Sequence, residues 1–137
     1  MPAATLVRET RRAQAPQPHA QNPELLAVAS GIARAAAEAL RADRQAARRL
    51  RKDLPRDVKI AADEMLQRMI GGRLRAQTPW PVRSEEDAKS AWSAEDGFRW
   101  IVDPLDGSLN FSRGIPMACV SIALWHGARP VLGVIHD

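Results

Sequence analysis

The segment Trp100-Ile101-Val102-Asp103-Pro104-Leu105-Asp106-Gly107-Ser108-Leu109-Asn110-Phe111 constrains this chain more than any other. Three apolar residues form a strand that leads into Asp103. Pro104 has a fixed φ and no N–H, so it predicts a turn that brings Asp103 and Asp106 to one corner, with the Leu105 carbonyl exposed beside them. Gly107-Ser108 then begins a new segment, and Ser108-Leu109-Asn110-Phe111 can open a short helix whose first N–H groups point back at the carboxylates. Alone, a D-P-x-D-G string is ordinary turn chemistry. Between a strand and a helix start, it reads instead as hard oxygen ligands beside an anion cradle, the pairing that Mg²⁺-dependent phosphate chemistry needs. Clustered carboxylates repel one another unless a cation sits among them, and without a Cys/His ligand set the chemistry argues against zinc.

The chain of 137 residues is long enough for one domain with a core and too short for two. Its formal charge of +4 owes much to Arg8, Arg11, Arg12 and the run Arg44 to Lys52. A basic excess fits nucleic acid, an acidic surface or an Arg-rich helix face. Few aromatics and no basic-aromatic interleaving argue against nucleic acid as a partner. No apolar stretch reaches the roughly 20 residues of a spanning helix, which argues against a membrane. The single cysteine, Cys119, cannot form an internal disulfide, so a cytoplasmic location is expected. It lies in an apolar run and is read as a core residue.

Residues 1–22 are rich in Pro, Ala, Gln and Arg and lack the apolar stretch of a secretory signal; they are expected to form a disordered leader. Asn22-Pro23-Glu24 is a helix start, with Asn as cap and Pro at the first helical position. This helix is predicted from Pro23 to about Leu50, with Leu25, Val28, Ala29, Ile32, Ala36, Ala39 and Leu40 as its apolar stripe. Arg34, Arg41, Arg44 and Arg48 form its solvated face. Pro55 breaks it, and a second helix is predicted over Val58–Leu74, with Ile60, Met65, Leu66, Met69 and Ile70 inward and Gly71-Gly72 weakening its end. Thr78–Val82 is extended, and Ser84-Glu85-Glu86-Asp87 is an acidic cluster, with Glu85 able to approach the Phe98 strand. Strands follow at Phe98–Val102, Met117–Trp125 and Pro130–His136, the last two joined by the hairpin-like His126–Arg129. His126 and His136 are read as surface or satisfied residues. Two helices followed by strands on short turns predict an α+β fold. The chain stops directly after a strand, which predicts an uncovered edge or face and reads as a truncation.

These residues resemble the inositol monophosphatase family, the Mg²⁺-dependent, lithium-sensitive phosphomonoesterases related to fructose bisphosphatases and bisphosphate nucleotidases. The likeness is carried by Trp100–Phe111, by the acidic pair Glu85-Glu86, by Lys52–Asp63 and by Pro116–Asp137. The resemblance implies a layered α/β sandwich of the sugar-phosphatase type, with residues 23–137 as its N-terminal half: two helices packed on a mostly antiparallel sheet. It implies that Glu85, Asp103 and the Leu105 carbonyl hold a first Mg²⁺ and that Asp103 and Asp106 hold a second. Gly107, Ser108 and Leu109 then bind the substrate phosphate. Asp63 and the Ser108 hydroxyl orient or activate the attacking water, with Glu85 also catalytic, and Lys52 is placed near the metal loop. Ser108 stands where many members carry Thr, an exchange that keeps the hydroxyl. The implied activity is hydrolysis of inositol monophosphate or a related small sugar or nucleotide phosphate by metal-activated water. The implied assembly admits a homodimer. The alternative is a truncated, catalytically incomplete fragment that binds metal or phosphate weakly or needs a partner chain.

Overall fold

A computed structural model of the chain describes residues 22–42, 61–84, 97–113 and 115–137. Helix α1 spans Pro23–Ala42 and helix α2 spans Ala61–Gln77. Strands β1, Val82–Ser84, and β2, Phe98–Asp106, follow. A short helix α3, Ser108–Ser112, leads to β3, Cys119–His126, and β4, Arg129–His136. The expected leader lies outside the described residues except for Asn22, as do Arg44, Arg48, Lys52, Ile60, Glu85, Glu86 and Asp87.

The start of α1 follows its sequence signal. The Asn22 Oδ1 accepts hydrogen bonds from the Glu24 and Leu25 N–H groups at 3.0 and 3.4 Å, which satisfies two of the orphan donors of the first turn. Its buried stripe is broader than predicted. Leu25, Ala29, Ile32 and Ala36 are buried as expected, but so are Ala33 and Ala37, while Ala39 is only half-buried. The extra alanines reflect two neighbours, because α1 packs against α2 as well as against β3 and β4.

Helix α2 runs three residues past its predicted end and passes through Gly71-Gly72. Each glycine costs a helix about 1 kcal/mol relative to alanine. Against that, Leu66, Ile70 and Leu74 are fully buried, and each such side chain contributes about 1.5–3 kcal/mol. Thr78 ends the helix: its N–H and its hydroxyl both donate to the Leu74 carbonyl at 2.8 Å. The same hydroxyl oxygen accepts the indole N–H of Trp100 at 2.8 Å, so the helix end is tied to the centre of β2.

The four strands form one sheet in the order β1-β2-β3-β4. β1 pairs with β2 in parallel, whereas β2–β3 and β3–β4 are antiparallel. The sheet is therefore mixed and mostly antiparallel, and the fold is α+β. α2 packs on β1 and β2, and α1 on β3 and β4, which buries Trp100, Val102, Val120, Ile122 and Leu124 on one face. The alternate positions Ile101, Ser121, Ala123 and Trp125 occupy the other face and are half-buried. No described helix is long and apolar enough to cross a membrane.

A carboxylate corner at the end of the second strand

The predicted turn at Pro104 is a bulge. β2 continues through Pro104 and Leu105 to Asp106, and its register against β3 shifts: Asp103 pairs with Ser121 and Asp106 with Cys119. Three steps along β2 thus match two along β3. A proline inside a central strand is tolerated at such a point, where a ladder hydrogen bond is already lost. The bulge re-aims the side chains. Pro104 and Leu105 are both buried, Leu105 joins the hydrophobic core, and Asp103 and Asp106 are left half-buried and exposed at the strand's end. The Leu105 N–H donates to Asp103 Oδ1 at 3.2 Å, which fixes that carboxylate against the bulge.

Gly107 follows at φ 80°, ψ 27°, in the left-handed region, and serves as the cap of α3 without any side-chain cap. A β-carbon there would lie 2.5 Å from the Met117 carbonyl oxygen, so glycine is required both for the backbone angle and for space. Ser108 is the first residue of α3 and half-buried, and Leu109 is 41% exposed. Asp106, Gly107, Ser108 and Leu109 therefore form one continuous corner directly after the bulge.

Helix α2 approaches the same end of the sheet. The Gln67 side-chain amide donates to the Ser84 hydroxyl at 3.0 Å, and Ser84 pairs with Val102, one residue before Asp103. Thr78, near the other end of α2, bonds Trp100. Moving back along the helix therefore means moving forward along β2. Asp63 lies one helical turn before Gln67, on the stripe that leads past Ser84 toward the carboxylate corner, and is half-buried. Glu85 lies outside the described residues; Ser84, which precedes it, ends the strand beside Val102.

Cys119 departs from expectation. It is half-buried rather than a core residue, because strand alternation sends Val120 into the core and Cys119 to the opposite side. Its thiol donates to Asp106 Oδ2 across 3.9 Å. Burial pushes the Cys119 thiol above its ordinary value, and the negative charges of Asp106, Asp103 and Asp137 push it further in the same direction. All three carboxylates thus act on one thiol, and Asp137 and Cys119 are neighbours of the corner that the sequence reading missed. The period-2 pattern of Val120, Ile122 and Leu124 was the available signal for Cys119.

The histidines divide. His126 is exposed and stacks on Phe98 with ring centroids 4.3 Å apart. His136 is not satisfied as expected: its Nε2 is buried without a hydrogen-bond partner among the described residues. It lines a cavity of about 220 Å³ with Leu40, Leu105, Phe111, Cys119 and Asp137. This cavity lies on the α1 side of the corner, and neither Asp103 nor Asp106 is among its described lining residues.

The carboxylates of Asp103 and Asp106 are hard oxygen donors, which fit Mg²⁺ rather than a softer ion. Among the described residues no three His, Cys, Asp or Glu side chains stand close enough to hold a metal ion. The remaining acidic ligand implied by the resemblance, Glu85, lies outside them.

A sequence model described as the Inositol monophosphatase family matches residues 21–137. An inositol monophosphatase of Mesembryanthemum crystallinum is 32% identical over 117 residues, covering 83% of this chain and 43% of that protein. A fructose-1,6-bisphosphatase/inositol-1-monophosphatase of Thermococcus kodakarensis is 33% identical over 79 residues, covering 58% of this chain and 28% of that protein. Among solved structures, the extragenic suppressor protein suhB of Bartonella henselae superimposes with a TM-score of 0.70 at 31% identity, covering 83% of this chain and 45% of that one. The chain thus spans less than half the length of these relatives.

Proposed function

Because the chain belongs to the inositol monophosphatase family, we propose that it carries the metal and phosphate corner of a Mg²⁺-dependent phosphomonoesterase acting on inositol monophosphate or a related small sugar or nucleotide phosphate. The observation that carries this reading is the bulge that leaves Asp103 and Asp106 together at a strand's end, followed at once by Gly107 in the left-handed region and the uncapped start of α3.

Glu85, Asp103, the Leu105 carbonyl and Asp106 would hold Mg²⁺, which when bound lowers the pKa of a coordinated water and neutralises charge on the leaving oxygen. The chain's own residues do the rest. Backbone N–H groups of Gly107, Ser108 and Leu109 bind the phosphate oxygens and fix the phosphorus for in-line attack. Asp63 and the Ser108 hydroxyl orient the attacking water, with the Asp63 carboxylate accepting its proton, and Glu85 shares in that activation from the metal side. The enzyme is read as cytoplasmic, and a homodimer is its proposed assembly.

A second reading is favoured by the chain's span of 43–45% of its full-length relatives. In it, residues 23–137 bind metal and phosphate weakly and turn over substrate only with a partner chain. One experiment separates the two. Phosphate release from inositol monophosphate is measured with and without Mg²⁺ for the wild type and for Asp103→Asn. The enzyme reading expects Mg²⁺-dependent release that falls at least about a hundredfold in the variant, the scale of losing a group that stabilises charge in the transition state. Background release from both proteins refutes it for the chain by itself.

A further inference from the structure

After α3 the chain doubles back, and Asn110 holds the returning segment at two points. Its backbone carbonyl accepts the Ile115 N–H at 2.9 Å. Its side-chain amide donates to the Met117 carbonyl at 3.1 Å. That Met117 oxygen is the same atom that lies 2.5 Å from where a β-carbon on Gly107 would stand. The returning segment therefore seats against the bare face of Gly107, and two residues later Cys119 pairs with Asp106. Side-chain packing does little to hold it there, because Ile115 is 42% and Met117 69% exposed. The Asn110 amide is placed to do what packing does not.

We propose that Asn110 is a positioning residue for the phosphate cradle: by clamping the Met117 carbonyl over Gly107, it holds the Gly107–Leu109 amides in the shape that receives an anion. The role rests on the phosphatase reading above. It acts through Gly107 rather than through the metal, so it predicts a split between two affinities. Removing the clamp loosens phosphate binding and leaves cation binding alone.

The test uses the full chain and two variants. Asn110→Leu keeps a similar branched side-chain shape and removes the donor without adding a charge beside the anion site, while Asn110→Ala removes the side chain. Three quantities are measured: equilibrium binding of inorganic phosphate with Mg²⁺ present, binding of Mn²⁺ alone, and amide hydrogen exchange. Phosphate affinity is expected to fall about two- to tenfold, the factor that one ordinary hydrogen bond is worth. Mn²⁺ affinity stays within about twofold, and exchange rises in residues 107–117 without rising in β2 and β3. Unchanged phosphate affinity overturns the proposal. So does Mn²⁺ affinity that falls in step, or faster exchange that spreads through the sheet, since either marks a general structural defect. If Asn110→Ala does not fold, Asn110→Leu decides. A wild type that binds no phosphate refutes the phosphatase reading instead; the exchange data then judge the clamp separately, and undiminished protection of residues 107–117 in Asn110→Leu overturns it.

Discussion

Replacing Gly107 by alanine tests the corner at its tightest point. Two costs can be worked from the structure. The backbone sits at φ 80°, and left-handed geometry costs an L-residue about 1–2 kcal/mol. The new β-carbon would also stand 2.5 Å from the Met117 carbonyl oxygen, so that backbone atom must retreat by about 0.9 Å to reach the 3.4 Å of ordinary contact. Retreat stretches the 3.1 Å bond from Asn110, and losing such a bond costs about 0.5–1.5 kcal/mol. Together these give about 1.5–3.5 kcal/mol, a large fraction of the 5–15 kcal/mol that stabilises a typical domain. Gly127→Ala is the control. Gly127 also has positive φ, 54°, but nothing lies within 4 Å of a β-carbon there, so only the backbone cost of about 1–2 kcal/mol applies. Urea unfolding followed by tryptophan fluorescence compares the two, with fully buried Trp100 as a reporter. At a slope of 1–3 kcal/mol per molar urea, the Gly107 variant is expected to lose about 1–2 M in midpoint and the control about half as much. Equal losses in the two variants would refute the steric argument and leave the Met117 carbonyl with no role in shaping the corner.

Two further outcomes are expected. Trp100→Phe removes the donor to Thr78 and leaves space at a fully buried position; it should cost about 2–4 kcal/mol in urea unfolding followed by far-UV circular dichroism, since it combines a lost hydrogen bond with a cavity. For Cys119, burial and the neighbouring carboxylates favour the protonated thiol in the folded state. Any stability linked to this group is present below its unfolded value of 9.0 and is lost as pH rises through the higher folded value. Alkylation by iodoacetamide should therefore be slow at neutral pH and speed up only above the ordinary thiol range. Asp106→Asn should accelerate it at any fixed pH by removing one of the charges that oppose the thiolate, and an unchanged alkylation profile would contradict the electrostatic account.

The parts of the fold that local chemistry dictates were legible in the chain. Asn22 caps α1 as its type and position require, and the alternation of Val120, Ile122 and Leu124 does place one face of β3 in the core. Legibility failed where distant groups decide. Gly71-Gly72 were expected to weaken the end of a helix stopping at Leu74, yet Ile70 and Leu74 are buried in the core and the helix runs on to Gln77. Pro104 looked like a turn, yet pairing with β3 absorbs it as a bulge. Cys119 looked like core because its neighbours are apolar, and only the strand's pleat, read with the position of Asp106, puts its thiol beside a carboxylate.

For the site, the residue types in Asp103–Leu109 determined the chemistry without help from the fold: hard oxygen donors, then a glycine, then the start of a helix. A sequence specifies such content because ligand preference and backbone freedom belong to each residue. Whether those groups converge does not belong to any of them. The bulge that leaves Asp103 and Asp106 at one end of the sheet, and the path of α2 that brings Gln67 to Ser84, arise from pairing and packing between parts of the chain far apart in order. Tertiary structure decided these, because a hydrogen bond such as that from Trp100 to Thr78, 22 residues apart, cannot form until the fold brings its partner within reach.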